Sequence, residues 1–148
     1  MILYLDTSAL VKLWTQEPGA QEVEDATRSA SVVSTSVVSY AETRSAFARA
    51  LREGRWTTTT HETAVGDLDH LWPQLMRIRV SNGLSFEAGA LAQRHRLRGF
   101  DAIHLASALR TRAHLDVDRV TFACFDERLA QGAREIGMEV VGFQGPGG

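Results

Sequence analysis

Lysine is nearly missing from this chain: of its 16 basic residues, 15 are arginine and Lys12 stands alone. Cysteine is as scarce. The single Cys124 lies inside an apolar run, which excludes an intrachain disulfide framework, points to a reducing compartment and marks a buried structural thiol. No stretch approaches the ~20 consecutive apolar residues that cross a bilayer, and the N-terminal residues lack the charged and long apolar regions of a secretory leader, so a cytoplasmic protein with no membrane partner is expected. The formal net charge of -2 excludes a polycation that holds nucleic acid by bulk electrostatics. Internal repeats, low-complexity tracts and linkers are absent as well. A length of 148 residues with 44% hydrophobic and 23% charged content therefore predicts one compact domain over residues 1–143, followed by a flexible tail at 144–148.

Apolar runs alternate with amphipathic segments along that length. Ile2-Leu3-Tyr4-Leu5 is continuously apolar, as a strand buried on both faces would be, and a short helix and a second helix from Pro18 follow it. Ser31 to Thr35 predicts a second strand. Ser39-Tyr40-Ala41-Glu42 has the S-x-x-E form of a capping box and predicts a helix start, with Tyr40, Phe47 and Leu51 as its core stripe and an end near Gly54. Residues 60–76 read as a helix that Pro73 shortens, and 76–80 alternates as an edge strand does. Ser81-Asn82-Gly83 reads as punctuation, Phe86 to Leu97 as a helix stopped at Gly99, and 102–109 as a helix buried in the body of the fold. Val120 to Phe125 is a strand, Leu129 to Ile136 a helix, and Val140-Val141 a last strand. The interleaving predicts an α/β fold with a central, mainly parallel sheet flanked by helices on both faces.

Four acids occupy the joints of this pattern. Asp6 closes the first strand, Glu42 falls in the first turn of its helix, Asp101 precedes the buried helix, and Asp126 ends the run Val120 to Phe125. Taken singly, each has an ordinary explanation as a cap or turn residue. Together they do not, because ligand crevices of parallel sheets lie beyond the carboxyl ends of the strands. Carboxylates gathered there repel one another unless a cation intervenes, and oxygen ligands suit hard divalent ions such as Mg²⁺ or Mn²⁺. The arginines cluster at 44, 49, 52 and 55, at 94, 96 and 98, and at 110 and 112. Their forks match phosphate oxygens, although individually they are better explained as solvated helix faces paired with Glu53 or Glu87. His104, one turn after Asp101, shares a helix face with it and could be a fifth ligand, but with apolar neighbours it reads rather as a core histidine. Trp14 and Trp72 read as core packing, and Trp56 as the exposed member of the three.

Four stretches are also recognisable as a set: Leu5-Asp6-Thr7-Ser8-Ala9-Leu10-Val11; Ser39-Tyr40-Ala41-Glu42 with its helix to Ala50; Gly99-Phe100-Asp101-Ala102-Ile103-His104-Leu105-Ala106-Ser107-Ala108; and Phe122-Ala123-Cys124-Phe125-Asp126-Glu127-Arg128-Leu129. In this order and spacing the chain resembles the PIN-domain ribonucleases, and among them the VapC-type toxins of toxin–antitoxin pairs. The resemblance implies a PIN-like fold, metal-dependent cleavage of RNA at Asp6, Glu42, Asp101 and Asp126 around Mg²⁺ or Mn²⁺, a cognate antitoxin and a homodimer. Ser8 matches the family's hydroxyl beside the first aspartate. Cys124 departs from it, since Thr or Ser commonly stands two places before the last acid. Two rivals are an inactive PIN-like module that binds RNA or protein, and a phosphoacceptor receiver domain. The receiver lacks its late lysine here, as Lys12 is the only lysine.

Overall fold

Short apolar runs ended by Asp, Ser or Gly make short strands, and five of them build one sheet. The computed structural model describes residues 1–143; the tail expected at 144–148 lies outside the described residues. The strands are β1 (Ile2–Leu5), β2 (Val32–Ser36), β3 (Met76–Ile78), β4 (Thr121–Cys124) and β5 (Glu139–Gly142). They lie in the order β3-β2-β1-β4-β5, and every pairing is parallel. Tyr4 of β1 is in register with Ser34 of β2 on one side and Phe122 of β4 on the other. β1 is thus central, which explains its unbroken apolar character.

Parallel strands require crossovers, and helices supply them. Between β1 and β2 run α1 (Thr7–Val11), a 3-10 turn (Lys12–Trp14) and α2 (Ala20–Ser29). α3 (Val38–Arg52) and α4 (Thr58–Leu71) lead to β3, α5 (Asn82–His95) and α6 (Gly99–Leu115) lead to β4, and α7 (Glu127–Glu135) leads to β5. The alternation of β1 and β4 divides the interior in two. Tyr4, Phe122 and Cys124 pack with α5, α6 and α7, while Leu3, Leu5 and Ala123 pack with α1 to α4. The Tyr4 and Phe122 rings stack at 5.3 Å and 12°, an arrangement worth about 1 kcal/mol beyond the area it buries.

The chain leaves β1 toward β2 on one side while β4 lies on the other, so the winding reverses between β1 and β4. The crevice at such a point lies past the strand ends. Asp6 and Asp126 are the residues that follow β1 and the Phe125 link of β4.

Several predicted boundaries move. α3 starts at Val38 with Val37 as an N-cap that offers no side chain; Ser39 instead shares a hydrogen bond with Thr35 at 2.7 Å. The capping box is therefore wrong, and Glu42 lies in the second turn. Ser81 does not merely punctuate: its Oγ caps α5 by accepting from the Leu84 N–H at 3.1 Å, so the helix begins four residues earlier than expected. Gly99 opens α6 rather than stopping α5, and Asp101 sits inside the first turn of α6. Pro73 behaves as predicted, ending α4 in a 3-10 turn (Trp72–Gln74).

The end of β5 is anchored to β4 by a glycine. Gly142 has φ +110, and a Cβ there would lie 2.3 Å from the Cys124 carbonyl oxygen, which accepts from the Phe143 N–H at 2.9 Å. Gly142→Ala is expected to lower the unfolding free energy by about 3 kcal/mol or more, through backbone strain and the clash together. A urea titration that finds less than about 1 kcal/mol would show that this corner yields.

Candidate active site

Asp6 continues β1 by donating its N–H to the Ala123 carbonyl at 3.1 Å. It then caps α1, its Oδ1 accepting from the Ala9 N–H at 2.9 Å and the Ser8 hydroxyl at 2.7 Å. Ser8 Oγ also accepts from the Phe125 N–H at 3.1 Å, so one hydroxyl ties together the ends of the two strands that flank the reversal. The Asp6 residue is only 4% exposed. Burial pushes its pKa up to about 6, against the pull of His104 and of the bonds from Ser8 and Ala9, and nearby Asp101 pushes it further up. A buried carboxylate in this condition is stabilised by added positive charge.

Glu42 approaches from α3. Its Oε1 accepts from the Thr7 hydroxyl at 2.5 Å and lies 3.1 Å from His104 Nε2. Burial pushes this carboxyl up, but the bonds from His104 and Thr7 and the electrostatic pull of His104 outweigh it, so its pKa is lowered. His104 in turn lies on α6, almost fully buried, with Nδ1 at 2.8 Å from the Tyr4 hydroxyl. Burial raises the Tyr4 pKa well above its usual value, so Tyr4 keeps its proton and donates it to Nδ1. The Nε2 proton then points to Glu42 and, at 3.2 Å, to Thr7 Oγ1. One tautomer satisfies all of these partners.

The other two acids are joined by a guanidinium. Arg98 Nε donates to Asp101 Oδ2 at 3.0 Å, and its Nη2 reaches Asp126 Oδ2 at 3.4 Å. The Arg98 side chain is 79% exposed, so this fork stands in solvent as a removable cation between two carboxylates. Asp126 caps α7, its Oδ1 accepting from the Leu129 N–H at 2.9 Å. That backbone bond supplies the orientation a hydroxyl at position 124 would give; Cys124 itself is buried, with its thiol pKa pushed far up chiefly by burial.

The charge of Asp101 also acts on Asp6, so the predicted acids neighbour one another. They are brought together in pairs: Asp6 with Glu42 through the α1 turn and His104, and Asp101 with Asp126 through Arg98. Among the described residues, no three His, Cys, Asp or Glu side chains converge at metal-binding spacing in this arrangement. The donors nevertheless suit a hard divalent ion, being carboxylate oxygens around a buried, anion-disfavouring position, with a guanidinium already acting as counter-cation for two of them.

Two participants escaped the sequence, Tyr4 and Thr7, and Arg98, whose fork suits phosphate in the sequence, here bridges two carboxylates. His104 is buried as the sequence favours, and both of its ring nitrogens are engaged, by Tyr4 on one side and Glu42 and Thr7 on the other. Trp56, expected to be exposed, is partly buried and packs on Phe47 at 5.0 Å. Trp14 meets the same ring at 5.3 Å, and Trp72 packs on Tyr40 at 5.3 Å. A groove adjoins each side of the centre. One of about 430 Å³ is bordered by Thr7, Glu42 and Arg49, and a larger one of about 820 Å³ is bordered by Asp126.

Comparison with known proteins places this architecture. The ribonucleases VapC45 and VapC49 of Mycobacterium tuberculosis are each 33% identical to the chain over 143 residues, covering 97% of it and 96% of their own length. A toxin–antitoxin complex from Klebsiella pneumoniae contains a chain with the same fold, at a TM-score of 0.61 and 20% identity over 95% of this chain and 96% of that one. The PIN domain model matches residues 3–135. With its parallel sheet and acidic crevice, the chain belongs to the PIN-domain family.

Proposed function

We propose that the chain is a divalent-metal-dependent endoribonuclease that acts as the toxin of a toxin–antitoxin pair, cleaving RNA at the crevice of Asp6, Glu42, Asp101 and Asp126. The observation that carries this reading is Asp6: a carboxylate 4% exposed at the strand-order reversal, faced by a second acid, with its anion disfavoured. Asp6 and Asp101 would be the principal holders of Mg²⁺ or Mn²⁺, with Glu42 and Asp126 completing the set. Such an ion supplies Lewis acidity and neutralises an anionic phosphodiester. The protein supplies placement and a proton acceptor. Both hydrogen bonds to Glu42 fall on Oε1, which leaves Oε2 to take the proton of the attacking water, and the lowered pKa keeps that oxygen ionised at neutral pH.

A cognate antitoxin is part of this reading, as toxin–antitoxin complexes share the fold. The Arg98 fork shows that a guanidinium fits between Asp101 and Asp126, so a basic side chain from the antitoxin would find the same seat. Residues 1–143 would act as one unit, a homodimer in the cytoplasm; among the described residues no helix is long and apolar enough to cross a membrane.

The test is cleavage of a structured RNA by the purified chain. Cleavage is expected with Mg²⁺ or Mn²⁺ and none with EDTA. Binding of RNA without cleavage under any divalent ion would leave an inactive module in place of the nuclease.

A further inference from the structure

The groove of about 820 Å³ that begins at Asp126 has an unbalanced charge. Arg94, Arg96, Arg128 and Arg134 border it, and none of the four forms an ion pair among the described residues. Elsewhere arginines do find carboxylates: Arg55 pairs with Glu53 and Arg110 with Glu87, each at 2.9 Å. In the groove, Arg128 donates to the Arg96 carbonyl at 3.1 Å and Arg134 to the Phe143 carbonyl at 2.6 Å. Carbonyl oxygens fix these guanidinium groups without neutralising them. Of the acids on the rim, Asp126 is engaged by Arg98, and Glu135 by His95 at 2.6 Å and Gln131 at 3.2 Å. Glu127 alone is left against four arginines.

Two further features set this surface apart. Arg96 ends α5 in the left-handed conformation, φ 57 and ψ 44, a position where glycine or asparagine is the favoured residue. Keeping an arginine there, held by Arg128 on its carbonyl, sacrifices local preference for a charge at this spot. The buried His95 Nε2 in the same wall has no hydrogen-bond partner, which is rare for a buried polar atom.

Resting on the ribonuclease reading, we infer that this groove carries the RNA strand on the Asp126 side of the scissile phosphate. Arg94 and Arg96 engage successive backbone phosphates, and Arg128 is a positioning residue that holds Arg96 in place. The contacts are to phosphate and are sequence-tolerant.

The experiment compares Arg94→Ala/Arg96→Gly with a charge-matched control, Arg28→Ala/Arg119→Ala, whose residues precede β2 and β4 at the opposite edge of the sheet. Arg96→Gly suits the left-handed backbone, so the groove variant folds and melts no lower than the wild type. In Mn²⁺, cleavage of a single-stranded oligoribonucleotide by the groove variant is expected to show a KM raised about tenfold at 0.1 M salt with kcat retained, and a salt dependence flattened by about 1.4 in log–log slope, roughly 0.7 for each lost phosphate contact. The control keeps the wild-type KM. Equal KM in the two variants overturns the inference while wild-type cleavage leaves the ribonuclease reading intact. A wild type that cuts no RNA sinks that reading instead. Fluorescence anisotropy of the same labelled oligonucleotide in EDTA then decides the groove: binding lost only in the groove variant supports it, and equal binding overturns it. Loss of antitoxin binding with RNA binding unchanged assigns the groove to a protein and also overturns it.

Discussion

Replacing Asp6 by asparagine should silence RNA cleavage and, at the same time, make the metal-free protein harder to unfold. The ordinary aspartate value is 3.8, and burial raises Asp6 to about 6. Between these values the folded state holds a proton that the unfolded chain has released, so stability falls as pH rises through that window and stays at its lower level above it. A difference of about two pH units corresponds to about 3 kcal/mol at pH 7 and above. Because the side chain is 4% exposed, solvent screens little of this. Asparagine retains a carbonyl oxygen for the Ala9 N–H and the Ser8 hydroxyl but carries no charge, so Asp6→Asn should gain up to about 3 kcal/mol at pH 7.5 in EDTA, and less near pH 4. Adding Mn²⁺ should reverse the order, raising the melting temperature of the wild type more than that of the variant. Calorimetry across pH 4 to 8 is the measurement. A variant that melts below the wild type in EDTA, or one that still cuts RNA, would show that Asp6 is not a buried anion awaiting a cation.

What could be read from sequence followed from how locally each feature is encoded. β1 and Asp6 are adjacent, and an apolar run followed by an acid needs no distant information. Pro73 ends α4 because its ring and missing N–H act on its own turn. Glu42 is legible as an acid but its turn is not, because S-x-x-E suits a cap while Ser39 is engaged with Thr35 across the β2–α3 link. Ser81 and Gly99 are ambiguous for a related reason: serine suits a loop and a helix N-cap equally, and glycine suits either end of a helix. The network around the acids was out of reach altogether. Tyr4 and His104 are 100 residues apart, His104 and Glu42 are 62 apart, and Arg98 and Asp126 are 28 apart. Only the packing of α6 against the sheet brings them together, and no periodicity in the chain reports such a bond.

His104→Leu should reduce kcat/KM between about tenfold and a hundredfold, the usual range when a side chain that orients a metal-site ligand is lost. The leucine fills the space but offers no donor to Glu42 Oε1 and no acceptor to the Tyr4 hydroxyl, which sit at 3.1 and 2.8 Å from the imidazole. Glu42 then keeps the Thr7 bond alone. Burial, which already pushes this carboxyl up, loses its main opponent, so Glu42 releases its proton at higher pH. If Glu42 Oε2 accepts a proton during cleavage, the acid limb of the pH–rate profile must move to higher pH by the same amount. His104→Gln, whose amide N–H reaches toward the place of Nε2, should return the limb toward its wild-type position and recover most of the rate. The stability effect separates from the catalytic one. A buried Tyr4 hydroxyl that loses its His104 acceptor costs about 1 to 3 kcal/mol, and His104→Leu/Tyr4→Phe should regain it without regaining activity. An acid limb that stays in place in His104→Leu, or a glutamine variant as slow as the leucine one, would reduce His104 to a packing residue and leave Glu42 to be oriented by Thr7.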